Sequence, residues 1–537
     1  MVVLPRFVAN SVPHWLRCIC NENTVATTGD DHDSRAHRRR RHRRPVHRPF
    51  LAHHGVPALV VERADGPSAH PRATGLGFRT LEFFRQAGIA DAVEAVAVRR
   101  TASLGKISAP TLATADLPDT PPAVPNSPNV AASRHSPTTL RCTCPQDRLD
   151  SVLLTAARER GATVAYSTTL VSFGQDGTGV TAVLDGPDGR RSVRADHLVA
   201  ADGGRSEVRA ALGIGTTGPG ALGQPLLNIL FRADLTPYTK GHHFANCTIT
   251  TPESPGMLVT VDAGKDWIFH TDLGDEPVDA FPPSRCAALI RAAIGVPDLA
   301  VEVLSVLPWR VRGQLADRFR TGRVFLAGDA AHAVPPLGAF GANTGIADAH
   351  NLAWKLAAVL DGSAGPALLD TYEAERRPVA ALALDQALRR LKDPRLHWDQ
   401  GAEAAAARAA AGVINAPVVH LGYRYDSAAV LDARPELPST EDVVLDGTPG
   451  SRLPHAWLGT DVSTVDLVGR RLTLLTGPGG EWPRTGDFDV HVVDDEEWLR
   501  NTGIADGGAV LVRPDHFIAW RGRPDGLTEA VARILAR

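Results

Sequence analysis

The chain has little cysteine, little methionine, little lysine and no long apolar run, and these shortages exclude several classes of protein. Six cysteines in 537 residues are too few and too scattered for a disulfide framework. Cys18 and Cys20, like Cys142 and Cys144, are spaced C-x-C without a matching second pair, so neither zinc nor any other metal is expected. No stretch approaches the ~20 apolar residues of a membrane span. The N-terminus lacks the basic-then-apolar order of a secretion signal. A net charge of −3 gives no global attraction to nucleic acid or to a membrane surface. With 43% hydrophobic and 22% charged residues, the composition is that of a soluble globular protein. Its length leaves room for roughly two to four domains and a large core. A cytoplasmic enzyme is the expectation.

What is present is an alternation of short apolar runs and helical spacings. Residues 58–61 form a four-residue run closed by Glu62, the pattern of a buried parallel strand. A helix with a glycine stop is predicted over 80–90, a loop rich in Pro, Ser and Asn over 110–137, and an amphipathic helix over 149–159. "DHLVAADGGRSEVRAALGI" (196–214) reads as strand, glycine turn and helix, and "RVFLAGDAAHAVPP" (323–336) repeats the theme. Between them, 217–309 alternates as a β-rich insertion, and a long helix is predicted over 344–360. From about Leu421 strand-like segments and polar linkers suggest a small α/β unit of roughly 100 residues.

Several residues sit where chemistry needs them. Glu62, followed by Arg63, ends a strand where a dinucleotide fold holds the adenosine ribose, although a solvated strand-end acid is the commoner reading. Arg72 lies in a glycine-bounded loop and is equally well a phosphate partner or a surface arginine. Gln146 stands just before a helix, where capping is the plain explanation. Asp202 opens a Gly-Gly turn followed by Ser206, Arg205 and Arg209, which offer a close backbone approach and positive charge. The strongest signal is "GDAAHAVPPLGAFGANTG". Asp329 ends a buried strand, and beyond the Pro335-Pro336 turn Gly338, Gly341, Asn343 and Gly345 leave bare backbone N–H groups ahead of the long helix.

Taken in order, Glu62, "PRATGLGFRTLEFFRQAGI", "CPQDRLDSVLLTAARERGA", "AADGGRSEVRAALGI", "GRVFLAGDAAHAVPPLGAFGANTGIADAHNLAWKLAAVL" and "LLDTYEAERRPVA" resemble the FAD-dependent aromatic hydroxylases of the p-hydroxybenzoate hydroxylase class. "HLGYRYDSAAVL" and "GGAVLVRPDHFIAWR" are most similar to those that hydroxylate aromatic polyketides, the aklavinone and tetracenomycin types. The resemblance runs from about Phe50 to the C-terminus. It implies an α/β architecture: a three-layer, Rossmann-like FAD-binding domain, an interleaved β-rich substrate domain and a C-terminal thioredoxin-like domain. The divisions are 50–109, 141–216 and 310–420 for the FAD domain, 110–140 and 217–309 for the loop and substrate domain, and 421–537 for the last unit. That unit has no cysteine, so disulfide exchange is excluded.

By position, the resemblance assigns Glu62 to the adenosine ribose, and Arg72 and Gln146 to the diphosphate–ribityl region. Asp202 belongs to a motif serving FAD and NADPH, Asp329 would hold the ribityl chain, and Gly341, Ala342 and Asn343 would approach the isoalloxazine. The implied activity is hydroxylation of a polycyclic aromatic polyketide in antibiotic biosynthesis, with NADPH or NADH as reductant and O2 as oxidant. A Baeyer–Villiger oxygenase on a polyketide and an inactive, flavin-poor chain stay open, as does the catalytic base. No nucleic acid or membrane partner is expected, and the assembly the reading allows is a homodimer. One departure concerns the flavin turn, where the family carries paired glycines and this chain has Gly338-Ala339.

A larger departure is an absence. Such enzymes open with strand–GxGxxG–helix, and nothing before Glu62 has that motif. Residues 1–49 form a basic segment of no clear periodicity, with an arginine–histidine run over 35–48 at the position of the missing motif. A basic arm for acidic partners is one reading. A reading-frame shift is the other. Displaced by one nucleotide, codons for Arg followed by Arg, His or Pro become Val, Ala, Gly or Asp, those for His become Ile or Thr, Pro45 can become Leu and Val46 can become Ser. Positions 35–50 then spell V-L-I-V-G-A-G-I-G-G-L-S-T-A-L-F, joined in register to Leu51. The code permits these codons rather than forcing them.

Overall fold

Three- and four-residue apolar runs cannot bury themselves as helices, and here they line up as a sheet. In this computed structural model, which describes residues 18–20, 50–67, 70–71, 73–99, 103–120, 128–138, 142–262, 264–398 and 402–537, the first sheet has six strands. Their order is Arg320–Thr321, Val324–Leu326, His197–Ala200, Cys18–Cys20, Ala58–Val61 and Thr163–Ala165. The pairs Ala58–Val61 with Thr163–Ala165 and His197–Ala200 with Val324–Leu326 are parallel. Between them the slot is filled by Cys18–Cys20, antiparallel to both neighbours. The segment 1–49 therefore contributes one strand where none was expected. The arginine run over 35–48 and Arg72 lie outside the described residues.

The second sheet has seven strands, among them the long pair Thr216–Arg232 and Glu302–Ala316, with Asp266–Asp272 on the other side of the first. Alternate side chains face opposite ways. Leu227, Ile229, Phe231 and Phe269 seal one face beneath the helix Pro283–Ile294. The C-terminal sheet runs Phe488–Val492, Leu472–Thr476, Ala509–Val512, Ile518–Gly522. Its first two strands are parallel and the remaining pairs antiparallel, the strand order of a thioredoxin-like unit.

Three helices position the site. Phe78–Gln86 begins two residues before the glycine-stopped helix predicted over 80–90. Gln146 is the first residue of Gln146–Arg158 rather than its cap, which is Pro145. The long helix is Phe340–Leu360, so Gly341, Ala342 and Asn343 form its first turn instead of leading into it. Trp354, Leu352 and Leu356 on this helix are buried, and it packs centrally between the first sheet and the C-terminal unit.

Candidate active site

Four separated stretches meet around the start of the long helix. Ala339, at φ 55 and ψ 32, is a left-handed non-glycine N-cap without a side-chain cap bond. The first-turn N–H groups of the helix therefore lack intrahelical acceptors and leave a positive helix end. Gly338 has φ +96, and a Cβ there would collide with the Phe340 ring. Left-handed backbone costs an alanine about 1–2 kcal/mol. Ala339→Gly is thus expected to stabilise the fold by about 1 kcal/mol, read as a higher denaturant midpoint at unchanged slope.

Asn343 does not turn its side chain outward. Its Oδ1 accepts from Gly77 N–H (2.8 Å) and Thr80 Oγ1 (2.6 Å), and its Nδ2 donates to Gly75 O (3.1 Å) and Ala339 O (2.7 Å). It clamps the loop after Ala58–Val61 onto the helix start. The same loop is held from behind, because Gln146 N–H donates to Ala73 O (2.9 Å) and Cys144 N–H to Thr74 O (3.0 Å). The Gln146 Oε1 is buried without a hydrogen-bond partner.

Asp329 is 4% exposed, in the tight turn Gly328–Ala330 after Val324–Leu326. That turn has a support invisible in the sequence. Asp348, on the long helix, accepts Gly328 N–H (3.0 Å), pairs with His332 Nε2 (2.7 Å) and receives Arg376 Nε (2.8 Å). Burial raises the Asp348 carboxyl, but His332 and Arg376 outweigh it and hold it below its ordinary value. Nothing in the 16-residue spacing of His332 and Asp348 predicts the pair. A Cβ on Gly345 would come within 3.1 Å of Gly328 Cα, which is why the helix can lie so close to the turn.

The Asp202 turn docks on the same corner. Asp202 Oδ2 accepts Val208 N–H (3.0 Å), while its Oδ1 is buried without a partner. Arg209 was expected to offer charge to a phosphate; instead it donates to Ala330 O (2.7 Å) and Gly204 O (3.0 Å), tying the two glycine turns together. Glu62 is 2% exposed, so the solvated reading is excluded, and its Oε1 accepts Ala64 N–H (2.8 Å). Arg63 and Pro336 are exposed. Glu62 also lines an open, apolar trough between the first sheet and the long helix, with Val60, Leu154, Leu352 and Leu356. Among the described residues no group of metal-ligating side chains occurs.

Residues 48–387 match the FAD binding domain family, and residues 446–537 match the C-terminal domain of aromatic-ring hydroxylases. The chain belongs to the FAD-binding aromatic-ring hydroxylases. This hydroxylase is 41% identical to tetracenomycin B2 monooxygenase-dioxygenase of Streptomyces olivaceus, over 91% of this chain and 96% of the other. To aklavinone 12-hydroxylase RdmE of Streptomyces purpurascens it is 37% identical, over 88% and 92%. Among solved structures it matches aklavinone-11 hydroxylase in complex with FAD and aklavinone, with a TM-score of 0.76, 34% identity and coverage of 91% and 96%. The flavin-dependent monooxygenase PieE, in complex with FAD and substrate, matches with a TM-score of 0.79 and 34% identity over 91% and 96%.

The described residues fit one half of FAD. The open helix end, the close-packed Asp329 turn and the unpartnered Gln146 Oε1 suit the ribityl–isoalloxazine half. The adenosine half would rest on Glu62 and on the segment before Phe50, of which 18–20 alone are among the described residues. Among the described residues no helix is long and apolar enough to cross a membrane.

Proposed function

We propose that the chain is an FAD-dependent monooxygenase that hydroxylates a polycyclic aromatic polyketide, using NAD(P)H and O2. The observation that carries this reading is the convergence of the helix start at Phe340, the Asp329 turn, the Asp202 turn and the loop 73–77 on one corner, on a chain whose relatives by name act on tetracenomycins and aklavinone. When bound, the flavin supplies the reduction and the oxygen activation. The protein's own work is binding, orientation and exclusion of water. The Phe340 helix end supports partial negative charge, Asp329 and Gln146 would accept hydroxyl and amide donors, and Glu62 would hold a ribose. Asn343 keeps the loop closed on the helix. The seven-stranded sheet supplies the substrate side.

Incubation of the flavin-loaded enzyme with tetracyclic polyketides, NADPH and labelled O2 tests the reading. One labelled oxygen on a ring carbon, with the carbon skeleton intact, is the expected product. A ring-expanded lactone carrying the label would make the enzyme a Baeyer–Villiger oxygenase instead.

A further inference from the structure

The face of the seven-stranded sheet opposite its sealed core is only half covered. Asn228 sits on it, in register with His270 on one neighbouring strand and Leu307 on the other. His270, Leu307 and Trp309 are partly exposed, and the His270 and Trp309 rings lie 5.7 Å apart. His70 reaches this face from outside the sheet. It lies on the loop that Asn343 clamps to the candidate flavin turn, so the face and that turn are joined by one short segment.

His70 is 4% exposed and uses both ring nitrogens on the sheet: Nε2 lies 2.9 Å from Asn228 Oδ1 and Nδ1 lies 3.0 Å from Ser305 Oγ. An amide oxygen only accepts, so Nε2 carries the proton, and in the neutral ring Nδ1 accepts from the Ser305 hydroxyl. That pairing fixes which end of the Asn228 amide faces His70. Among the described residues the Nδ2 end makes no hydrogen bond, and it belongs to a residue on the half-open face. The neighbouring His270 is drawn down to about 4 by burial and by His70, so it adds no charge there near neutral pH. The result is a mixed apolar and aromatic face on which the orientation of the Asn228 amide is set by His70.

We infer that Asn228 recognises an oxygen on the edge of the aromatic substrate through its Nδ2, and that His70 is the positioning residue that holds the amide in this sense. The inference rests on the hydroxylase reading above. It assigns the pair a role in selecting oxygenated ring systems over bare ones, because an unmatched buried donor is costly where an apolar ring edge faces it.

The test is equilibrium binding, followed by quenching of tryptophan fluorescence, to the full chain in the form that purifies with flavin. The probes are a hydroxylated anthraquinone and a ring-matched hydrocarbon without oxygen. Asn228→Leu and His70→Leu are expected to weaken anthraquinone binding about tenfold while leaving hydrocarbon binding unchanged. His70→Gln, which keeps a donor and an acceptor, should restore most of the preference. Asn228→Asp should weaken anthraquinone binding further, because it presents oxygen to oxygen. Equal losses for both probes would reduce His70 to a structural latch and overturn the inference. So would an unchanged preference in His70→Leu and Asn228→Leu. Failure of the parent chain to bind either probe would instead remove the aromatic-substrate reading, and this inference with it.

Discussion

Purified as encoded, the chain is expected to carry little or no flavin. The same chain with positions 35–50 read in the shifted frame should purify yellow, at close to one flavin per chain. The physical reason is the diphosphate. A GxGxxG turn at a helix start gives it several backbone N–H donors, each charge-assisted and worth about 1.5–3 kcal/mol. Losing two of them alone lowers affinity by roughly two to four powers of ten. Among the described residues, parallel pairs flank a slot that holds Cys18–Cys20, running the wrong way for a βαβ unit. Beside it an open trough is lined by the apolar side chains of Ala58, Val60, Val199, Leu352 and Leu356. We infer that the shifted segment, V-L-I-V-G-A-G-I-G-G-L-S-T-A-L-F, is what this bed is shaped for. Sequencing the encoding DNA across codons 31–51 in the source, together with flavin absorbance of both chains, checks it. An intact frame and stoichiometric flavin in the chain as encoded would overturn the inference.

Arg513→Met should cost about 3–5 kcal/mol of stability, the range for breaking a buried ion pair by removing one partner. Arg513 is fully buried and joins the C-terminal unit to the flavin-side helices. Its guanidinium donates to Glu375 at 2.6 and 2.7 Å and to Asp515 at 2.6 Å. Glu375 also receives Lys355 Nζ (2.6 Å), Asn351 Nδ2 (2.8 Å) and Ser427 Oγ (2.6 Å). Without the arginine two carboxylates stay buried with too few donors. Arg513→Lys should recover only part of the loss, because an ammonium cannot reproduce the fork.

The same seam sets an acid limit. Burial raises the Glu375 carboxyl, but Arg513 and Lys355 outweigh it, and Arg452 and Arg79 do the same for Glu82. Both fall below the ordinary value of 4.5, so their contribution is complete above that pH and is lost as pH falls beneath it. Thermal unfolding across pH, with limited proteolysis reporting release of the C-terminal unit, measures both effects. An Arg513→Met chain that melts with the parent would show that the seam contributes nothing net.

The motifs that carry the site were legible because each combines a local pattern with a local cause. The buried run ending in Glu62, the glycine turn at Asp202 and the Gly328–Ala330 turn with Asp329 all announce themselves through strand-length apolar runs meeting glycine. The start of the long helix was misplaced by four residues. Spacing alone does not show that Ala339 accepts a left-handed backbone, which a glycine would have signalled.

By itself, the sequence determined the strands, the turns and the family, because apolar period and glycine position act over a few residues. Tertiary structure decided how the polar and charged groups are used. Arg209 became a brace between two turns, Asn343 a clamp, Asp348 the support for the Asp329 turn and Glu375 the centre of a domain seam. It also brought His70 to Asn228, 158 residues away. An ionisable side chain is indifferent to its neighbours in sequence and takes its role from whatever burial places within about 3 Å of it.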